Sequence, residues 1–401
     1  MSKCEFGKVP QIRFRGHFEE WQEETLGKMF PITSAARVHK NEWVESGVPF
    51  FRSSDVVSAF KGTKNKPAFI SHNLYQELSA KVGSTKTGDM LVTGGGSIGI
   101  PYLVQSDEPL YFKDADLLWF KIREAVDSRF LYTFFSSDPF KKYVKSISHI
   151  GTIAHYTVEQ AKETPLFTPR KNSEQTQIGS YFKELDQLIQ LHQRKHDRLV
   201  TQKQAMLQRI FPKAGATVPK VRFKGFEGVW RKQLLQHLAN RYDNLRVPVS
   251  ASNRISGSTP YYGANGIQDY VCGYTHDGEF ILVAEDGASD LKNYPVQFVS
   301  GKMWVNNHAH VLQAKEGVSN NLFLKYAFAQ QNMEPFLVGG GRAKLNAETM
   351  MQMEFMTPIE IAEQQKIGQY FYKLDPLISR HATQLEKLNQ VKAACLDKMF
   401  V

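Results

Sequence analysis

Cysteine is nearly absent from this chain of 401 residues: Cys4, Cys272 and Cys395 are the only three, and they stand far apart. An odd, scattered set supplies neither a disulfide framework nor a C-x-x-C metal site, and it fits a reducing, cytoplasmic setting. Long apolar runs are missing too. The longest stretch without a charged residue, Met90 to Ser106, is interrupted by glycines and a proline, and the opening Met1-Ser2-Lys3-Cys4-Glu5-Phe6 has no apolar h-region. Neither a membrane span nor a signal peptide is therefore expected. Negative charge is in deficit, with 40 Asp plus Glu against 50 Lys plus Arg and a formal charge of +10. The surplus favours an anionic partner, although a solvated basic surface accounts for it equally. The chain is 42% apolar and 12% aromatic, enough for buried cores in about two or three domains.

What the chain does have is repetition. Val9-Pro10-Gln11-Ile12-Arg13-Phe14-Arg15-Gly16 returns as Val218-Pro219-Lys220-Val221-Arg222-Phe223-Lys224-Gly225, and Trp21 and Trp230 keep the same offset of 209. Glu174-Gln175 through His192 returns as Glu363-Gln364 through His381 at an offset of 189, with 11 of 19 positions identical. The intervening segments, about 22–150 and 231–338, differ from each other, so the plan alternates variable and constant parts. Domain limits of 1–170 and 213–357 for the variable parts, with helical spacers at 171–212 and 358–401, express that plan.

In the constant parts, apolar or seam residues step by four and three: Ile178, Phe182, Leu185, Ile189, His192, His196, Leu199, Lys203, Met206 and Ile210. The second copy runs Ile367, Phe371, Leu374, Ile378, His381, Leu385, Leu388, Lys392, Cys395 and Met399. This is a heptad stripe, which either pairs two helices or docks each helix on its own domain. Ile189, His192, Leu199 and Met206 are expected to meet Ile378, His381, Leu388 and Cys395 across an antiparallel seam with pseudo-twofold symmetry. Polar seam residues fix register more readily than they supply metal or proton chemistry. Asp375-Pro376 reads as a helix start, predicting a short helix over 361–373 and a long one over 376–399, with 173–184 and 186–210 as their counterparts. Each long helix then spans about 36 Å, close to one turn of B-DNA.

The variable parts read as α+β. Val48–Phe51, Met90–Thr93, Phe280–Ala284 and Met303–Val305 have strand character; Ser128–Tyr143 and Asn321–Gln330 look helical. Gly94-Gly95-Gly96-Ser97-Ile98-Gly99 follows a strand but lacks a Lys-Ser/Thr pair and a following helix, so a tight loop is preferred to a phosphate cradle. Amides, imidazoles and phenols gather in loops from Tyr261 to Gly266 and from Asn306 to His310. Such groups suit base edges, and lysines suit phosphates, while the same residues also serve ordinary turns. The candidates for DNA contact are Arg52, Ser54, Lys64, Thr152, His155 and Tyr156 in the first domain. In the second they are Tyr262, Asn265, Asn306, His308, Arg342 and Lys344.

The duplicated Val-Pro-x-x-Arg-Phe-x-Gly, the Thr-Pro segments at Thr168 and Thr357 leading to Glu-Gln-x-x-Ile-Gly, and the heptad helices together resemble the specificity subunit of type I restriction-modification systems, over essentially the whole chain. The run from Tyr261, Asp286-Gly287-Ala288 and Asn306 to His310 look like parts of that family's target-recognition domains. The resemblance implies an α+β fold with two globular target-recognition domains separated by paired long antiparallel helices. It implies a noncatalytic DNA reader in which each domain recognises half of an asymmetric bipartite site. The helices would set the spacer and dock two methyltransferase subunits, to which restriction subunits are added. S-adenosylmethionine, Mg2+ and ATP would belong to those partners, with no cofactor, metal or catalytic residue in this chain. The sequence contains no Asn-Pro-Pro-Tyr-type motif, no G-x-x-x-x-G-K-[ST] loop and no His/Cys/Asp cluster at metal spacing. A coiled-coil adaptor without a DNA role and a stand-alone DNA-modifying enzyme are the alternatives.

Overall fold

Residues 9–122, 126–147, 155–339 and 343–401 are described by the structure, a computed structural model. They divide into two compact units, Met1–His192 with Gln384–Val401, and Gln193–Thr383. Two helices of 39 and 38 residues, Asn172–Ile210 and Ile361–Lys398, contribute to both units. Two of the expected helices therefore become one in each copy, without a break at Asp375-Pro376. Pro376 costs a single intrahelical bond, and its missing partner carbonyl lies on exposed Tyr372, where water can serve it. Buried Phe371 and Leu374 before it keep the helix seated.

In the first unit, Gln22–Thr25 pairs antiparallel with Pro165–Thr168, forming a two-stranded stem at the base of the variable module. Above the stem stand two four-stranded sheets. One orders Ile32–Thr33, Leu117–Phe120, Met90–Thr93 and Pro101–Leu103; the other orders Trp43–Val44, Phe69–Ile70, Val48–Phe51 and Tyr111–Phe112. Leu117–Phe120 and Met90–Thr93 are buried on both faces, as their unbroken apolar runs dictate. The single helix expected over Ser128–Tyr143 is two, Ser128–Phe134 and Asp138–Ile147. Pro139 disfavours helix at Asp138's N-terminal side and suits the first turn of a new one. The glycine run from Gly94 is a tight loop: Thr93 Oγ1 accepts the Ile100 amide at 2.9 Å, and no helix follows.

The second unit has the same stem, Arg231–Leu234 against Glu354–Thr357. Its module is different: one six-stranded sheet in the order Ala239–Arg241, Ala309–Ala314, His276–Ala284, Val296–Val305, Ser256–Gly263 and Gly266–Val271. The last two strands form a hairpin closed at Ala264-Asn265, joined to Val296–Val305 by a parallel pairing at Tyr261 and Tyr262. Helix Asn321–Phe328 packs its apolar face on this sheet and is capped by the Asn320 side chain, which accepts the Phe323 amide.

Candidate nucleic-acid interface

The constant motifs build one frame twice. In the first unit the Arg13 guanidinium makes a two-pronged bond to buried Glu174, at 2.6 and 2.8 Å. In the second, Arg222 holds buried Glu363 in the same way, at 2.8 and 2.7 Å. Each glutamine beside that glutamate satisfies the backbone at the start of a module helix: Gln175 accepts the Asp127 amide at 2.8 Å, and Gln364 accepts the Asn320 amide at 3.2 Å. Both also donate to the carbonyl of the Thr-Pro segment, Pro169 and Pro358, at 3.1 Å. The Ile-Gly pair is explained by close approach. A Cβ on Gly179 would stand 2.8 Å from the Phe130 amide nitrogen, and one on Gly368 the same distance from that of Phe323.

The helix ends repeat as well. The Val221 amide donates to the Arg209 carbonyl and the Ile12 amide to that of Lys398, each at 3.0 Å. Phe211 then stacks on Phe323 beside Trp230, and Phe400 on Phe130 beside Trp21. Along the helices, Asp186 meets Lys392 at 2.6 Å in the first unit, and Asp375 meets Lys203 at 2.6 Å in the second. Tyr181 and Cys395 lie 3.7 Å apart, so within the first unit the two helical segments run in opposite directions. All eight expected pairing residues are half-buried: Ile189, His192, Leu388 and Cys395 in the first unit, Leu199, Met206, Ile378 and His381 in the second. Leu199 and Met206 pack on the core that contains Ile367 and Phe371.

The candidates for DNA contact separate into two groups. Arg52 is occupied: it bonds Asp55 at 2.7 and 3.0 Å and the Lys66 carbonyl at 2.6 Å, and burial opposed by that ion pair leaves the Asp55 carboxyl below its ordinary value. Tyr156 lies in the core of the first unit, its hydroxyl 2.5 Å from Thr164 Oγ1, and burial pushes its phenol far up. Asn265 ties the hairpin turn to the segment after His276–Ala284, donating to the Gly287 carbonyl and accepting the Ser289 amide, both at 2.8 Å. Asn306 is buried and accepts the His308 amide at 2.8 Å. Turn chemistry claims the Asn306 side chain, and a loop-to-loop tie claims that of Asn265. By contrast Ser54, Lys64 and His155 are exposed in the first unit, Lys344 in the second, and Tyr262 and His308 are partly exposed. His308 Nδ1 lies 2.6 Å from Asp286 Oδ1. Thr152 and Arg342 fall outside the described residues.

Sequence reasoning missed a cluster that joins four separate segments: Asp243, Arg246, Glu285, His310 and Lys344. His310 Nδ1 lies 2.7 Å from Asp243 Oδ2 and its Nε2 2.9 Å from the Leu345 carbonyl. Arg246 bonds Glu285 at 2.6 Å, and Lys344 approaches the same carboxylate at 3.1 Å. Burial works against the charge on Asp243, but His310 and Arg246 outweigh it and hold the carboxyl low; Arg246 does the same for Glu285. Asp243, Glu285 and His310 are near enough for a metal ion, within 4.8 Å of one another. Two basic side chains already balance the two carboxylates, so the group fits a closed ion-pair network tying these segments together better than a cation site. No sequence spacing signals it, because its members are up to about 100 positions apart.

The variable modules thus stand on a repeated frame, and comparison with known proteins agrees. The family described as type I restriction modification DNA specificity domain matches residues 18–201 and again 231–390. A Haemophilus influenzae protein assigned as a type I restriction enzyme specificity subunit is 49% identical over 135 residues, 34% of this chain and 34% of that protein. The Escherichia coli type I restriction enzyme EcoprrI specificity subunit is 25% identical over 139 residues, 34% of this chain and 32% of its own length. The matches thus span about a third of each curated relative. Among solved structures, the type I restriction-modification S subunit from M. genitalium shares the fold with a TM-score of 0.61 at 16% identity, covering 98% of this chain and 99% of that one. With both halves matched, this chain belongs to the type I restriction modification DNA specificity family.

Proposed function

We propose that the chain is a noncatalytic reader of double-stranded DNA, in which two unlike modules each take one half of an asymmetric, bipartite site. The observation that carries this reading is the contrast between frame and module. Arg-Glu clamps, stems and helix ends recur in both units, whereas one module is built on two four-stranded sheets and the other on a six-stranded sheet. A repeated frame with different loops suits one task performed on two targets. Two weak modules on stiff helices reach high effective concentration only at the right spacing and phase.

The exposed groups Ser54, Lys64, His155 and Lys344, with half-buried Tyr262 and His308, are the contacts we assign to DNA. The eight pairing residues of the helices form the ruler's seam. The repeated parts of the frame dock the methyltransferase subunits, to which restriction subunits add, so S-adenosylmethionine, Mg2+ and ATP act on those partners. The family membership and the surplus of basic residues support this reading. Among the described residues no helix is long and apolar enough to cross a membrane.

Insertion of four residues into both long helices tests the ruler. In the complex reconstituted with its methyltransferase subunits, the mapped methylated adenines should move apart to a longer spacer. An unchanged site refutes the ruler, and turnover of DNA by the purified chain alone refutes the noncatalytic role.

A further inference from the structure

In the first unit Phe60, near the end of the helix Ser53–Lys61, leaves its ring 38% exposed. It stands where two grooves adjoin, and together with Pro101 it lines both. The larger groove, about 540 Å³, has an apolar floor of half-buried Ile98, Ile100 and Val144, beside exposed Ala393 of the second long helix. The smaller, about 290 Å³, follows the first long helix from Lys183 to Gln190. Each long helix contributes about two turns to the grooves, or roughly 11 Å. An apolar floor inside a charged rim is the anatomy of a protein–protein contact.

That rim carries one sign of charge. Among the described residues lining the two grooves, Asp186 is the only carboxylate, and Lys392 takes it at 2.6 Å. Lys141 is bonded to Asp138 at 3.2 Å in an exposed pair. Arg129, Lys145 and Lys183 are exposed and, among the described residues, have no carboxylate partner. Cations around an apolar floor are complemented by carboxylates around an apolar face. A DNA backbone would meet the cations, yet it would leave Phe60, Ile98 and Val144 uncovered. One wall, moreover, belongs to the frame. Asn389, Lys392, Ala393 and Leu396 repeat Val200, Lys203, Gln204 and Leu207, which line a cavity in the second unit. A wall that recurs with the frame points to the partner that the frame receives, not to a target of one variable module.

We propose that the joined grooves around Phe60 receive an amphipathic segment of a methyltransferase subunit. Its apolar face covers Phe60, Ile98 and Val144, and its carboxylates stand against Arg129, Lys145 and Lys183. The inference rests on the docking of methyltransferase subunits proposed above, and adds where one of them is held and by what chemistry.

A photoreactive benzoylphenylalanine in place of Phe60 keeps an aromatic ring at the site and identifies the occupant in the full complex, reconstituted with its methyltransferase subunits on a DNA duplex. Illumination should join it to a methyltransferase peptide that carries Asp or Glu beside apolar residues. In parallel Lys145→Glu, at an exposed position, should weaken association with the purified methyltransferase subunit about tenfold, mostly through a slower on-rate. Cross-linking to DNA overturns the proposal, as does a cross-linked peptide without carboxylates, or no cross-link in a complex that still methylates; in each of these cases the docking of methyltransferase subunits itself stands. Equal affinity of Lys145→Glu and the unaltered chain overturns it as well. If the methyltransferase subunit does not bind the unaltered chain, the reading beneath the proposal fails and the proposal falls with it.

Discussion

Phe400→Ala removes the ring that holds the end of the second long helix in the first unit. Phe400 is 5% exposed, with ring centroids 5.4 Å from Phe130 and 6.3 Å from each of Trp21, Phe134 and Phe182. Truncation of a buried phenylalanine costs about 3–5 kcal/mol. The lower end of that range, about 3 kcal/mol, corresponds to roughly a hundredfold in the opening equilibrium. The local readout is hydrogen exchange of the Ile12 amide, which donates to the Lys398 carbonyl. Its protection should fall by about two decades. Phe211→Ala is the counterpart in the second unit, where the ring stacks on Phe323 beside Trp230, and the Val221 amide should lose protection to a similar extent. Unchanged Ile12 protection in Phe400→Ala would refute the view that this ring seats the helix end.

Glu363→Gln leaves Arg222 without its counter-charge in a buried setting, and breaking such a pair costs about 3–5 kcal/mol; a urea midpoint for the second unit equal to that of the unaltered chain would contradict it. Acid should weaken the second unit in two stages. His276 is held below its ordinary value by burial, so the unfolded chain takes up its proton first and stability falls as pH drops below about 6.5. Asp243, Glu285 and Asp375 have lowered values despite burial, through His310, Arg246 and Lys203 respectively. Their contribution is complete above the unfolded value near pH 4 and disappears as pH falls through the lower folded ones. Urea midpoints at pH 7, 5.5 and 3.5 should decline in that order, and a flat profile contradicts both assignments.

The frame was legible in the sequence because each of its parts carries a constraint that few residues meet. Glu174 and Glu363 need a guanidinium, Gly179 and Gly368 need the space of a missing Cβ, and the heptad stripe needs an apolar residue every three or four positions. The helix break at Pro376 was misread because local rules outweighed packing: Phe371 and Leu374 hold the segment in place across the proline. The modules were legible only in outline. Strands such as Met90–Thr93 and His276–Ala284 announce themselves by composition, but the ion-pair network of Asp243, Arg246, Glu285 and His310 depends on pairings distant in sequence. Loop polarity misled in a specific way. Asn265 and Asn306 have the right functional groups for base edges, yet neighbouring backbone amides take their oxygens first. Arg52 is likewise spent on Asp55, three residues further on.

The two-stranded stems have a consequence for how such a protein can change. Gln22 lies opposite Thr168 and Arg231 opposite Thr357, so each module leaves and rejoins the chain on neighbouring strands about 5 Å apart. Everything above a stem is, geometrically, a loop of any length closed at its neck. An insert of foreign sequence with the same neck can replace it while the Arg-Glu clamps beneath stay as they were, provided that it keeps the one helix on which the glutamine caps and the helix-end rings bear. Novelty is thereby confined to the part that meets the outside world, and inheritance to the part that must keep fitting itself.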